Sequence, residues 1–204
     1  MLTYINYADR LSTLVGKLFA WTIVILTGVV CYEVFMRYAI GRPTDWAYDV
    51  SYMMYGAGFM MAGAYALSRN AHVRADIFYR MWAPRNQARL DLFLYFIFFF
   101  PGMLAFVYSG WLFAEMSMRF NERSSFSPDG PILWPFKMLI PATGLLLLIQ
   151  GAAEVMRCLI TIRTGEWPMR AQDVEELEKK IAEEAQAEGL EVVAARIASG
   201  EEKL

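Results

Sequence analysis

"LFLYFIFFFPGMLAFVYSGWLF", residues 92–113, decides the solvent in which this chain folds. Its large apolar side chains fall on every side of a helix and leave no polar stripe for water, and the run is long enough to cross a hydrocarbon core that needs about 20 helical residues. It forms the centre of a span of about 90–116. Pro101 removes a backbone donor and crowds the preceding turn, so a bend is expected there.

The rest of the chain agrees with a bilayer. It is 57% hydrophobic and 15% aromatic over 204 residues, whereas soluble domains average about 45–50% apolar. Three more segments reach spanning length. "GKLFAWTIVILTGVVCYEVFM", residues 16–36, is long for a secretory h-region and has no small-x-small cleavage site, so it reads as an uncleaved span. "WAYDVSYMMYGAGFMMAGAYALS", residues 46–68, is interrupted by small and polar residues and calls for protein neighbours. The last, about 131–162, exceeds a bilayer's need, so tilt, a bend at Pro141 or projection beyond the membrane must absorb the surplus.

The expected fold is therefore an all-α membrane protein: a four-helix transmembrane domain over residues 1–168 and a charged cytoplasmic tail over 169–204. Arg10, Lys17, Arg69, Arg74, Arg80, Arg85, Arg89, Arg157, Arg163 and Arg170 flank the spans on one side, against fewer basic residues on the other, and the positive-inside bias puts both termini and the middle loop in the cytoplasm. Ionised groups are expected only at the rims of the spans. In the tail, Val174, Leu177, Ile181, Leu190, Val193 and Ile197 among charges suggest one or two amphipathic helices broken near Gly189, or a solvated segment. Cys31 and Cys158 lie in apolar segments and read as small buried hydrophobes.

Two polar stretches invite a chemical reading. "NAHVRADIFYRMW", residues 70–82, carries the only histidine, with an apolar side built on Val73, Ile77, Met81, Phe78 and Trp82. It suits a short interfacial helix of about 73–82, with Trp82 at headgroup depth; Asp76 caps it, or Arg74 snorkels or pairs with a neighbouring carboxylate. A lone histidine supplies no metal shell and no bis-histidine haem, so an architectural role for His72 is preferred. In "YEVFMRYAIGRPTDWAYDV", residues 32–50, Glu33 and Arg37 stand in the favourable i, i+4 order, Asp49 lies in the first turn of the second helix, and Trp46 anchors it. Glu33 and Asp49 could couple an ion; their rim position beside arginines favours a structural salt-bridge cluster. On the second helix Ala47, Ser51, Tyr55, Gly58, Ala62 and Ala66 recur at helical spacing as a contact face, by default within the chain.

"EVFMRYAIGRPTDWAYDV", "HVRADIFY" and "WPFKMLIPATG" fall in order across roughly residues 5–165, and together the chain resembles the small membrane (Q, DctQ-like) subunit of tripartite ATP-independent periplasmic (TRAP) transporters. Asp49 departs from the commonest pattern, where many relatives carry Glu. The resemblance implies a bacterial inner-membrane subunit that braces a large sodium-coupled permease (M) subunit during uptake of an organic acid delivered by a periplasmic binding protein (P). Membrane lipid is the other expected contact, and nucleic acid is not. No enzyme activity or cofactor is expected, sodium belonging to the permease. Residues expected to clamp or pack are Glu33, Arg37, Tyr38, Trp46, Asp49, Ser51, Gly58, Ala62, His72, Arg74, Asp76, Trp82, Trp134, Pro135 and Pro141. The competing class is a self-sufficient homo-oligomeric transporter or channel using Glu33 or Asp49. A membrane redox enzyme lacks the ligands.

Overall fold

In lipid every backbone polar group must be satisfied within its own segment, which makes helix the natural state of an apolar chain. A computed structural model describes residues 1–70, 79, 81–168 and 170. Among these the regular elements are helical, with one isolated bridge between Arg123 and Ile132. Most of the expected interfacial helix, with His72, Arg74 and Asp76, and the tail from 171 lie outside the described residues. Contacts divide the chain into two units, Met1–Trp167 and Pro168–Leu204, and the first contains all the helices named below.

Helix α1 runs over Leu2–Phe35 and passes into a wider π turn at Met36–Ile40. Gly41 ends it with φ +73°, a left-handed conformation that only glycine adopts without strain, and Pro43 follows. The helix starts fourteen residues before the expected boundary of 16. Polar Asp9 and Ser12 read as a flank in the sequence, but they are half-buried and buried against a later helix. Helix α2 spans Ala47–Ser68.

Helix α3 (Pro84–Leu94), a π turn (Tyr95–Phe99) and α4 (Phe100–Arg119) form one continuous rod. The distortion expected at Pro101 appears just before it. Proline cannot donate to Ile97 four residues back, and the Phe100 amide instead bonds the Tyr95 carbonyl, five back, so the ladder widens by one residue. A four-residue turn α5 (Trp134–Lys137) leads through Met138 into α6 (Leu139–Thr164). The break falls where Pro141 leaves the Lys137 carbonyl without its i+4 donor.

Among the described residues three rods are long and apolar enough to cross a membrane: Leu2–Ile40, Pro84–Arg119 and Trp134–Thr164. Helix α2 is not among them; tyrosines, serines and Asp49 dilute its apolar content. Helix α6 is the centre of the bundle. It packs against α1, α2, α3 and α4, and 39% of its most apolar stretch is buried, against 6% in each of the other two rods. Helix α1 packs chiefly on α2, and α4 on α6. Close approach in the second pair depends on small residues: a Cβ on Gly110 would lie 2.6 Å from Ile140 Cγ2.

Candidate functional site

Polar side chains gather at two ends of the bundle. At the end where α1 finishes and α2 begins, Glu33 uses both carboxylate oxygens. Oε1 accepts from Arg37 Nε at 3.0 Å and Nη2 at 2.6 Å, and Oε2 accepts from the Thr44 amide at 2.9 Å and from the Thr44 hydroxyl. The carboxylate thus ties the last turns of α1 to the 41–46 connection. Trp46 stacks on Tyr32 across the same corner, ring centroids 6.0 Å apart. Tyr38 stands fully outside it, 81% exposed.

Asp49 does not join that cluster. It is wholly buried, and its carboxylate accepts from the hydroxyls of Ser124 and Ser127, in the connection between α4 and α5. The Ser127 hydroxyl also lies 2.5 Å from the Asp45 carbonyl. The expected salt-bridge cluster of Glu33 and Asp49 is therefore corrected: among the described residues Asp49 has no cationic partner, because a loop 75 residues later covers it with serines. Beside it, Lys137 Nζ bonds Glu122 Oε2 at 2.5 Å and sits 3.9 Å over the Phe113 ring. The lysine's hydrogen bond holds the Glu122 carboxyl below the usual carboxylate range.

The second cluster lies where α1 begins and α6 ends. Arg157, 1% exposed, donates from Nη2 to Asp9 and from Nη1 to Glu154. Gln150 Nε2 donates to Asp9 Oδ1 at 2.9 Å and its Oε1 accepts from Ser12 at 2.8 Å. Tyr4 adds a bond to the Ile149 carbonyl at 3.2 Å. A charged group inside a low-dielectric bundle persists only when paired, and these groups pair one another across α1 and α6. The cluster lies toward one end of the bundle, but its groups are largely buried within it. Arg157, read as a flanking cation, faces inward. The sequence signal that marks this face is Gln150, Glu154 and Arg157 at i, i+4, i+7, with Ala153 and Cys158 buried beside them.

The remaining candidates are spread over the bundle. Gly58 meets α1 so closely that a Cβ would lie 2.5 Å from Thr22 Oγ1, and Ala47 is buried, but Ser51 is only half-buried and Tyr55 and Ala62 are exposed. The interior face of α2 is instead Ala57, Met61, Ala64, Leu67 and Ser68, turned from the expected stripe because α2 must meet α6 as well as α1. Trp134 is half-buried at the first position of α5; Pro135 follows at the second, where a missing amide costs nothing, and Pro141 is buried. Trp82 is half exposed, and its carbonyl accepts from Gln87 Nε2 at 3.0 Å, while Gln87 Oε1 accepts from Trp167 Nε1 at 3.1 Å. Cys158 is buried as expected, but Cys31 is exposed on the outer side of α1.

Every cluster is an internal tie: its carboxylates are held by groups of the same bundle, and no group of three potential metal ligands exists among the described residues. Comparison with known proteins identifies the family. The family described as "Tripartite ATP-independent periplasmic transporters, DctQ component" matches residues 26–161, more than half of the chain, from the last turns of α1 through the Asp49 cluster to nearly all of α6. No curated protein matches. The chain belongs to the DctQ family and is the small, Q-type component of a TRAP transporter, a transport protein and not an enzyme.

Proposed function

We propose that this chain braces the large sodium-coupled permease subunit of a bacterial inner-membrane TRAP transporter, while a periplasmic binding protein delivers an organic acid to the assembly. In this reading α2 is a fourth span, sheltered by α1 and α6 from the lipid its composition suits poorly, and both termini and the 69–89 segment face the cytoplasm. Arg10, Lys17, Arg69, Arg74, Arg80, Arg85, Arg89, Arg163 and Arg170 against Arg37, Arg42, Arg119, Arg123 and Lys137 support that orientation. Sodium and substrate sites belong to the permease, and this chain needs no cofactor.

The observation that carries the proposal is the way the polar groups are used. A self-sufficient transporter needs carboxylates open to a path across the membrane. Here Glu33 is tied to Arg37 and Thr44, Asp49 is sealed by Ser124 and Ser127, and Asp9 and Glu154 are locked on Arg157. The outer faces of α1 and α4 offer large apolar side chains such as Leu14, Leu18, Trp21, Leu104 and Tyr108 for packing against a partner or lipid. The test is reconstitution. Liposomes holding this chain alone are expected to transport nothing. Liposomes holding it with the permease, supplied with the binding protein and a sodium gradient, are expected to accumulate substrate, and the two membrane chains to co-purify one to one. Flux through this chain alone would overturn the proposal.

A further inference from the structure

The turn before α3 and the first two turns of that helix form an open groove of about 570 Å³ whose walls include Met81, Trp82, Asn86, Arg89, Leu90 and Phe93. Asn86, Arg89, Leu90 and Phe93 stand at i, i+3, i+4 and i+7, one face of α3, and Met81 and Trp82 form the opposite wall. Met81, Trp82 and Phe93 are 79%, 49% and 57% exposed, so nothing in the described bundle fills the space between them.

The groove is graded. Its polar end holds Asn86 and Arg89. Its apolar end holds Leu90 and Phe93, which lead into the membrane-spanning rod Pro84–Arg119. Arg89 Nη1 donates to Asn86 Oδ1 at 3.4 Å, and no carboxylate among the described residues pairs it. Neighbouring polar groups are otherwise placed: Asp91 accepts from the Tyr79 hydroxyl at 2.7 Å, and Arg85 stands beside Gly165 at the C-terminal end of α6, where a helix favours a cation. Among the described residues Arg89 is therefore a cation without a carboxylate partner, at the mouth of an apolar trough. The four residues from Arg89 to Phe93 rise about 6 Å along the axis, similar to the drop from headgroup phosphate to the first acyl carbons, and an indole such as that of Trp82 prefers this depth.

We propose that this groove binds one anionic glycerophospholipid. Arg89 and the Asn86 amide hold the phosphodiester, and an acyl chain lies over Leu90 and Phe93 against Met81 and Trp82. An anionic headgroup neutralises Arg89, whereas a zwitterionic one brings its own ammonium towards Arg89 and Arg85. A partner helix would have to supply both an anionic side chain at Arg89 and an apolar ridge; a lipid supplies an anion and an apolar chain in one molecule, at the depth where each part already resides. The proposal rests on the membrane reading of the chain and not on which permease it joins.

Native mass spectrometry of the purified full-length protein, with whatever partner co-purifies, tests it against phosphatidylglycerol and phosphatidylcholine at equal concentration. One phosphatidylglycerol is expected to stay on the mass of this chain, with about fivefold preference. Arg89→Gln should abolish the preference, and Arg119→Gln, whose arginine is paired with Glu115 in the last turn of α4, should keep it. A photo-crosslinking residue at Met81 should label lipid in cells. Equal retention of the two lipids, or a preference unchanged by Arg89→Gln, means annular lipid only and overturns the proposal, as does a cross-link to protein. Because lipid is read on this chain's own mass, a chain that joins no permease still reports its occupant, and the two proposals fail separately.

Discussion

Removing one member of the Asp9–Glu154–Arg157 network should cost far more than removing any exposed ion pair. Arg157 and Glu154 have side chains only 2% and 3% exposed, and Asp9 15%. Arg157→Met takes the arginine from Glu154 and leaves Asp9 its Gln150 bond, which places the loss at about 3–5 kcal/mol, the range for breaking a buried ion pair by removing one member. Asp9→Asn should cost about 1–3 kcal/mol, since Arg157 keeps Glu154 and only charge-assisted bonds to Asp9 weaken. Replacing all three by apolar residues, Asp9→Leu, Glu154→Leu and Arg157→Met together, should come close to neutral, because the desolvation cost disappears with the pairing. Arg119→Met is the comparison. Its side chain is 73% exposed beside Glu115, and loss of so open a pair is worth less than about 0.5 kcal/mol. Equilibrium unfolding in detergent–lipid mixtures measures all four. An Arg157→Met variant no less stable than Arg119→Met, or a triple variant as damaged as the single one, would refute the reasoning.

Asp49→Ala should destabilise by about 2–4 kcal/mol, since two serine hydroxyls lose their buried acceptor; transport by the assembly should fall only as far as folded protein does, and full loss of flux with wild-type stability would instead mark Asp49 as a coupling group. Gly110→Val places branched carbons against Ile140 and Pro141 and should cost about 1–3 kcal/mol of overpacking, read as a lowered unfolding midpoint that Ile140→Ala partly restores. The Glu122–Lys137 pair gives a pH signature. The Glu122 pKa is depressed from 4.5 in the folded protein, so its stabilisation is complete above the unfolded value and disappears as pH falls through the folded one. The gap in unfolding midpoint between wild type and Glu122→Gln should therefore be open at neutral pH and close as pH drops below 4.5, and a gap that widens on acidification would contradict the assignment.

What the sequence reveals here is whatever depends on nearby residues. The apolar run of 92–113 dictates a rod because every residue in it obeys one rule, aversion to water, and Glu33–Arg37 is visible because four residues make one helical turn. The bounds of α2 are read within a residue, with Gly41, Pro43 and Trp46 marking its approach. Partners distant in sequence leave no such mark. Nothing in the spacing of Asp49 points to Ser124 or Ser127, and Asp9 and Ser12 pair with residues 148 and 138 positions away. The early start of α1 escapes a reading by composition for the same reason: polar residues facing a distant polar partner look like polar residues facing water. The inward stripe Gln150, Glu154, Arg157 is legible as a pattern, but the count of flanking arginines gives Arg157 a different and equally local explanation.

The same ties bear on whether the subunit moves within itself. Sliding α6 past α1 by one turn, about 5.4 Å, would separate Arg157 from Asp9 and drag the buried Gln150 off Ser12. Sliding it past α4 would drive Ile140 out of the space left by Gly110. At the other end of α1, the Glu33–Thr44 bonds fix the connection into α2, and the serines on Asp49 fix the loop after α4 to the start of α2. Helices α1, α2, α4 and α6 are thus keyed to one another by contacts that favour one register. The outer faces of α1 and α4 carry broad apolar side chains and few such keys. Internal motion is therefore expensive while contact with a separate body is not, which is the physical condition for a part that stays rigid while its neighbour moves.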